Sequence, residues 1–502
     1  MAKLFIFAIG GTGSRVLKSL IMLLASGAKP NTDKEYEIVP IMIDPHKTNE
    51  DLKRTLSLLD NYQAITNKAG IGNGFFSTKI LKLCDLTASQ DKKSENFTFN
   101  LQKVADSKFR DYIEYNQMDE SNKGLTDILF SGNSINKNGE KVDLLDVEMD
   151  IGFVGNPNIG SVVLNQFKDS EEFKDFASNY NQDDRIFIIS SIFGGTGAAG
   201  FPTVLKNIRN AINNNNIDSR GLLENSKIGA LTVLPYFNIE KKQDSPIQKS
   251  DFIAKTKDAL NYYKDNISGN NSINALYYIY DDLNGLAYPN DPGAEGQKNP
   301  AHVVELFSAL AVLDFLEISD NDLLCKNGKA ETPIYKEFGV KNDTTDLKFS
   351  DLENKTELKI SLPLSQFLLF HKYINEHFDE TIEIQAWSNN NPVIDNKFTN
   401  ENFYRTNLIG ILDSFKEWLI ELKNNKRGFS PFNIDSEIEI FIKGRRPRTG
   451  LFSKRVDYSM FDDKLNKISR KNYASNYEKL VKLFYEATRE ILTSKFGMKK
   501  YE

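Results

Sequence analysis

Two glycine-rich loops, residues 9–14 and 193–200, most constrain how this chain can fold. They read Ile-Gly-Gly-Thr-Gly-Ser and Phe-Gly-Gly-Thr-Gly-Ala-Ala-Gly. Each follows an apolar run of strand length and precedes apolar residues at helical spacing. Glycine lets the backbone turn sharply, and the first N–H groups of a helix together with its dipole attract anions. The two loops therefore predict two phosphate-binding turns, and a nucleotide held from two sides.

The elements around these loops predict an α/β fold with a mostly parallel sheet. Strands are expected at 3–9, 38–43, 186–192, 228–234 and 275–280, and helices at 16–24 and 201–212. Because strands and helices alternate at this spacing, the connections should be right-handed crossovers. A helix expected at 301–316 is apolar nearly all round, which favours a buried position.

The length and a change of pattern predict two domains. A chain of 502 residues is long for one domain. The strand–helix alternation ends near residue 317, so we expect a nucleotide-binding domain at 1–317 and a C-terminal interaction domain of mixed α+β or helical structure at 318–502. Helices are expected in the second part at 365–378, 409–422 and 473–496. Residues 50–150, where the pattern weakens, are expected to form an insertion.

Composition excludes several classes of protein. A formal net charge of -6 argues against a general nucleic-acid binder, and the basic stretch 443–448 is expected to be a solvated surface. Only Cys84 and Cys325 occur, which supports neither a disulfide framework nor a cysteine zinc site. No apolar run reaches membrane-spanning length. The apolar start continues into the first glycine loop, so we interpret it as folded core and expect a cytoplasmic protein.

A dinucleotide-binding fold is the alternative for the first 50 residues. Such a fold expects Gly-x-Gly-x-x-Gly after its first strand and an acid at the end of its second. Residues 11–16 lack the third glycine, while Asp44 stands where the ribose-binding acid would, later than the usual spacing of about 20 residues. Neither loop ends in Gly-Lys-Ser/Thr, which excludes a Walker-type phosphate loop. These residues alone leave a nicotinamide or flavin oxidoreductase as an open alternative.

The second loop resembles the Gly-Gly-Gly-Thr-Gly-Thr/Ser-Gly hallmark of the tubulin/FtsZ superfamily, which follows the fourth strand of a GTP-binding sheet. Other segments resemble family motifs in the same order: the loop 10–13, the strand 41–44, the turn 155–160 (Gly-Asn-Pro-Asn-Ile-Gly) and the strand 231–237. The resemblance covers about half of the chain and is nearest to divergent bacterial tubulin-like proteins. It implies a tubulin/FtsZ-like GTP-binding domain whose central helix is the one at 301–316.

The resemblance also implies GTP or GDP as the ligand, with Mg²⁺ accompanying the nucleotide. Near the start of the central helix, Glu305 stands closest to the family's guanine-pairing carboxylate, with His302 nearby. A carboxylate accepts from guanine's ring N–H and amino group, a donor pair that adenine lacks. The residues implied to contact the nucleotide are Gly10, Gly11, Thr12, Gly13, Ser14, Asp44, Gly155, Asn156, Gly194, Gly195, Thr196, Gly197, Ala198, Glu240, His302 and Glu305.

Departures from the family pattern shape the expected activity. Phe193 replaces the first hallmark glycine, and Ala198 replaces a hydroxyl residue. In polymerising members an acidic loop after the central helix reaches into the next subunit and orients the attacking water. The corresponding segment 313–322 has acids but lacks the family's glycine and spacing. The resemblance therefore implies slow or partner-dependent GTP hydrolysis.

The sequence thus predicts a guanine-nucleotide-binding, tubulin-like protein that acts as a nucleotide-dependent switch, scaffold or assembly subunit. Its expected partner is itself, as an oligomer or filament, or a protein docked on 318–502. A filament-forming GTPase of FtsZ/tubulin type is the main alternative. No catalytic residue and no protein-borne metal site is predicted. Substitution of Gly195 or Gly197 by Val is expected to abolish nucleotide retention while the fold survives.

Overall fold

The structure is a computed structural model of the chain. It describes residues 1–46, 49–70, 72–86, 97–105, 107–135, 140–149, 152–215, 217–236, 238–239, 249–281, 287–288, 298–337, 345–448 and 455–501. Glu240, a predicted nucleotide contact, and Phe237, the end of a predicted motif, lie outside these residues.

A six-stranded sheet forms the centre of the described structure. Its strands are β1 (Ala2–Ile9), β2 (Tyr36–Ile43), β3 (Arg185–Ser191), β4 (Lys227–Val233), β5 (Ala275–Ile279) and β6 (Ile334–Glu337). They lie in the order β6-β5-β4-β3-β1-β2, and every neighbouring pair is parallel. The predicted α/β class is confirmed. The first five strands lie within two residues of their predicted positions, whereas β6 was not predicted.

The described residues form twelve helices of eight or more residues. They are α1 (Gly10–Ala25), α2 (Glu50–Ala69), α3 (Glu120–Leu129), α4 (Pro157–Leu164), α5 (Glu171–Asn179), α6 (Gly195–Arg209), α7 (Lys249–Tyr263), α8 (Val303–Glu317), α9 (Asn354–Glu376), α10 (Ile409–Asn424), α11 (Tyr458–Ile468) and α12 (Asn476–Phe496). Helix α8 is buried from Val303 to Leu316, as predicted from its all-round apolar sequence. Helices α1 and α6 begin six residues earlier than predicted, because each starts within its glycine loop.

Side chains alternate between two cores, one on each face of the sheet. In β1, Leu4 and Ile6 point into the core that contains α1, α2, α8 and the C-terminal helices. Phe5 and Phe7 point into the opposite core, which contains α4, α5 and α6. Both faces of this strand are therefore buried, which explains why its sequence is a continuous apolar run.

Residues 50–150 contain a longer helix than the short pieces expected there. Helix α2 has 20 residues and packs against α1. Short elements follow, including the helix Phe109–Tyr112 and an antiparallel pair, Asn133–Ile135 with Lys141–Asp143. The treatment of 50–150 as an insertion stays a prediction.

The C-terminal part adds both a strand and a layer of helices to the sheet. Strand β6 pairs with β5, and residues of α9, α10 and α12 belong to the same core as α1 and α8. Two further short pairs are Cys325–Lys326 with Lys329–Ala330 and Asp346–Leu347 with Gly428–Phe429. The division into 1–317 and 318–502 stays a prediction. No helix in the described part of the chain is long and apolar enough to cross a membrane.

Two glycines provide a test of the close contact between α1 and the sheet. A Cβ added at Gly13 would lie 2.7 Å from the carbonyl carbon of Ala8, whereas one added at Gly124 in α3 would meet nothing within 4 Å. We expect Gly13→Ala to lower the free energy of unfolding by about 1 to 3 kcal/mol through overpacking. Gly124→Ala, the matched control, should raise it by about 0.5 to 1 kcal/mol. Urea unfolding midpoints would measure both, and an unchanged midpoint for Gly13→Ala would contradict the packing.

Candidate functional site

The two glycine loops lie at the point where the strand order reverses. Strands β1 and β3 are neighbours, with β2 beyond one and β4 beyond the other. Helix α1 starts directly after β1, and α6 starts four residues after β3 ends. In open parallel sheets, ligands bind in the crevice outside the carboxyl ends of the strands at such a reversal.

The loops are in contact with each other. A Cβ added at Gly10 would lie 3.5 Å from Cβ of Thr196 and 3.8 Å from the backbone N of Gly197. Gly10 has φ +70, a left-handed conformation that favours glycine. The tertiary structure therefore brings residues 10–13 and 194–197 into one place, as the two-sided site requires.

The first turns of α1 and α6 have the features of an anion site. Their N-cap residues, Ile9 and Gly194, provide no side-chain hydrogen bond, and neither first turn contains an acidic residue. By contrast, Asn49, Ser170 and Ser475 cap α2, α5 and α12 with their side chains. Uncapped first-turn N–H groups at two adjacent helices provide donors and a positive dipole end for an external anion.

Several predicted loop residues stabilise the loops from within. The buried Ser14 donates its hydroxyl to the carbonyl of Gly10 at 3.3 Å, and the N–H of Ala198 donates to the carbonyl of Gly194 at 2.9 Å. A Cβ on Gly197 would lie 2.5 Å from the carbonyl oxygen of Ser191. This contact contradicts the expectation that Gly197→Val would leave the fold intact, since Gly197 is needed for helix–sheet packing.

A third predicted loop lies beside the second one. A Cβ on Gly160 in α4 would lie 3.0 Å from the carbonyl oxygen of Gly195, so the start of α4 packs on the start of α6. Asn156 is the N-cap of α4 and donates to the carbonyl of Phe153 at 3.1 Å. The carbonyl of Gly155 accepts from Nζ of Lys255 at 2.9 Å, which places a cation next to this loop.

Asp44 leaves the sheet next to the first loop. Ile43 is paired with Ile9, so Asp44 and Gly10 follow adjacent strand ends. Burial raises the pKa of Asp44 to about 7. A hydrogen bond from the N–H of His46 and the charge of Arg15 lower this pKa, whereas the charge of Asp51 raises it. This carboxyl group therefore changes its charge near neutral pH, at the edge of the candidate site.

Arg15, in the second turn of α1, forms a buried cluster that the sequence did not reveal. Its Nε donates to Oε1 of Glu305 at 2.6 Å, and Nη1 donates to Oδ2 of Asp51 at 3.1 Å. Its Nη2 donates to the hydroxyl of Tyr236 at 3.0 Å and, more weakly, to Thr12 at 3.4 Å. Although burial opposes the charge, Tyr236, Glu305 and Asp51 raise the pKa of Arg15 above its ordinary value.

Both carboxylate oxygens of Glu305 accept hydrogen bonds from other residues of the protein. Besides Arg15, its Oε1 accepts from the hydroxyl of Tyr236 at 2.8 Å, and its Oε2 accepts from the backbone N–H of His302 at 3.0 Å. Its side chain is 1% exposed. The carboxylate implied to read guanine thus has an arginine and a tyrosine as partners, and its contact with a base stays a prediction.

His302 is the other half of a capping box at the start of α8. Its Nδ1 accepts from the N–H of Val304 at 3.1 Å, and its ring packs 4.9 Å from that of Tyr236. Burial lowers the pKa of His302 to about 3, so the ring is neutral at physiological pH. Its predicted contact with the base stays a prediction, while its structural contact is the helix cap.

One signal in the sequence could have revealed the cluster. Arg15 and Lys18 are the two charged residues of α1, and both are buried. A buried charge needs a partner of opposite charge. The partners lie in α2, α8 and α10, which are distant in sequence, so the partner identities required the tertiary structure.

Comparisons with known proteins identify similar structures at low identity. No family model and no curated protein matches the chain. CetZ from Methanosaeta thermophila strain DSM 6194 is 13% identical over 64% of this chain and 58% of that chain, with a TM-score of 0.30. An empty FtsZ dimer of M. jannaschii is 15% identical over 56% of this chain and 45% of that chain, with a TM-score of 0.25. Each alignment therefore spans less than two thirds of the matched protein.

The pKa of Asp44 leads to a pH prediction. Between about pH 4 and 7 the unfolded chain loses this proton while the folded chain keeps it, so folding becomes less favourable as the pH rises, by about 1.4 kcal/mol per pH unit at most. Asp44→Asn should therefore gain stability relative to the wild type over this range and level off above pH 7. Thermal unfolding at several pH values measures the difference. Asp169→Asn, at an exposed site, is the control, and a pH-independent difference for Asp44→Asn would contradict the shift.

Proposed function

We propose that this chain is a nucleotide-binding protein of the tubulin/FtsZ type that acts as a nucleotide-dependent switch or scaffold. The observation that carries the proposal is the convergence of two uncapped, acid-free helix starts, at Gly10 and Gly195, on the crevice between β1 and β3. The ordered motif resemblance in the sequence supports a nucleotide over other anions.

The phosphates would be held by electrostatics and hydrogen bonds. Backbone N–H groups of residues 10–13 and 194–197 would donate to the phosphate oxygens, and the two helix dipoles would stabilise their charge. Lys255 beside Gly155 adds a positive side chain at the third loop. The described residues contain no cluster of three or more potential metal-binding side chains. The resemblance implies that a Mg²⁺ ion accompanies the nucleotide.

The packing of α1 provides a route from the phosphates to the C-terminal helices. Two turns after the glycine loop, Nζ of Lys18 donates to Oε2 of Glu421 in α10 at 2.8 Å, and Nε1 of Trp418 donates to Ser19 at 3.1 Å. Arg54 of α2 also pairs with Glu421. A shift of α1 on nucleotide binding would thus move groups that hold α10, which supports a switch whose output lies in 318–502.

The acids at the end of α8 and just after it are paired with cations of the same chain, which supports slow or partner-dependent hydrolysis. The pairs are Asp314 with Lys336 at 2.6 Å, Glu317 with Lys359 at 2.7 Å, and Asp320 with Arg185 at 2.9 Å and with Lys227 at 3.0 Å. Carboxylates held by cations of their own chain are poorly placed to orient water in a neighbouring subunit.

The identity of the retained small molecule tests this proposal directly. Mass spectrometry of the denatured, purified protein should detect a nucleoside di- or triphosphate, because the crevice provides donors for phosphate oxygens. Retention of NAD or FAD would instead favour the dinucleotide-dependent oxidoreductase. Recovery of neither, together with no binding of added nucleotide by equilibrium dialysis, would contradict the proposal.

A single substitution can test the start of α6 without relying on misfolding. Gly194→Asp places a carboxylate at the N-cap, where it would cap α6 and repel phosphate. We expect the nucleotide-free variant to be more stable than Gly194→Ala by about 1 kcal/mol and to lose nucleotide binding. Gly194→Ala is the matched control: its Cβ also meets Oγ of Ser191 at 3.2 Å, but it cannot cap. Normal nucleotide binding by Gly194→Asp would exclude this helix start as the phosphate site.

Assembly and hydrolysis distinguish the switch from the filament former. We expect the purified protein to hydrolyse nucleotide slowly and to sediment alike with GTP, with GDP and without nucleotide. Phosphate release and analytical ultracentrifugation measure these properties. Ordered polymers formed only with GTP, or turnover at rates typical of FtsZ without a partner, would favour the filament-forming GTPase.

A further inference from the structure

The space between the first turn of α1 and the first turn of α8 is occupied by the Arg15 guanidinium. A Cβ on Gly11 would lie 3.5 Å from Nη1 of Arg15, so the guanidinium lies against the first glycine loop. On its other side, Nε is 2.6 Å from the Glu305 carboxylate. Arg15 therefore separates the loop from the carboxylate at the start of α8.

Both carboxylate oxygens of Glu305 already accept hydrogen bonds from the protein. It accepts from Arg15 and Tyr236 on one oxygen and from the N–H of His302 on the other. The Arg15 side chain is 7% exposed. A base that paired with Glu305 in place of this guanidinium would break the buried Arg15–Glu305 ion pair and leave Arg15 with Asp51 alone, and breaking a buried ion pair is strongly unfavourable.

Asp51 also holds the Arg15–Glu305 pair in place. Asp51 of α2 accepts from Arg15 and, on its other oxygen, from the backbone N–H of Asn299 at 3.1 Å. The guanidinium thus lies between two carboxylates held by α2 and α8. A planar group with hydrogen bonds in several directions has little freedom to swing away when a ligand arrives.

We propose that Arg15 determines base specificity: by holding Glu305, it makes the site accept nucleoside triphosphates through their phosphates, with little discrimination between guanine and adenine. This inference rests on the proposed nucleotide-binding function. Sites built to hydrogen-bond a particular group reject analogues lacking it by large factors. A site whose carboxylate is already bound to the protein lacks that means of rejection.

Competition binding on the wild-type protein is the first test and needs no variant. Dissociation constants for GTP, ATP and inorganic tripolyphosphate would be measured at pH 8. We expect GTP and ATP to differ by less than about threefold. A preference for GTP greater than about threefold would overturn the inference. Failure of all three ligands to bind would instead overturn the proposed nucleotide-binding function.

Substitution of Arg15 tests its role by a gain of specificity. Arg15→Ala should release Glu305 to accept from guanine's N–H and amino groups, so GTP should bind about tenfold or more tightly than ATP. Arg15→Lys keeps a cation for Glu305 and is the matched control, expected to show no preference. Adding Glu305→Gln to Arg15→Ala should abolish the guanine preference.

Thermal unfolding with each ligand separates specificity from stability. If Arg15→Ala is less stable than the wild type, GTP should raise its unfolding temperature more than ATP does at equal concentration. Equal shifts by the two nucleotides in a folded Arg15→Ala variant would overturn the assigned role of Arg15. If Arg15→Ala does not fold, the wild-type competition alone decides the inference.

Discussion

The buried charge of Arg15 is the interaction on which the arrangement of the site depends. A guanidinium removed from water needs carboxylates close by, and this one has them from two different helices. Asp51 brings α2 to α1, and Glu305 brings the start of α8 to the same place. Loss of the guanidinium would leave two buried carboxylates without a cation, so Arg15 holds the three elements in one mutual orientation.

A second group of charged residues connects α1 and α2 to the C-terminal helices. Glu421 of α10 forms ion pairs with Lys18 of α1 and Arg54 of α2. It also accepts a hydrogen bond from the N–H of Ala301, just before α8. Helix α1 therefore begins at the candidate phosphate site and ends in the core shared with α9 and α10. A helix with one end at a ligand and the other among interaction elements is well placed to transmit binding, which is the physical basis of the proposed switch.

Sequence patterns predicted the sheet well because both of its faces are buried. The residues of β1 and β3 form continuous apolar runs, and such runs are hard to mistake when a glycine loop follows at once. Strand β6 was missed because its sequence, Ile-Tyr-Lys-Glu, is short and polar, and it lies at the edge of the sheet. The early start of α1 and α6 was missed because glycines and threonines are weak helix formers, and here tertiary packing against the strands overrides that preference.

The sequence alone determined the parallel α/β sheet, the two glycine loops and the buried central helix, because these follow from local periodicity and from the conformational freedom of glycine. Only the tertiary structure decided that the loops meet, that Gly197 is required for packing, and that Glu305 faces Arg15. Those facts depend on contacts between residues as much as 290 positions apart. Local patterns report that a charge is present and buried, but which opposite charge it meets is decided by how the helices pack across the sheet.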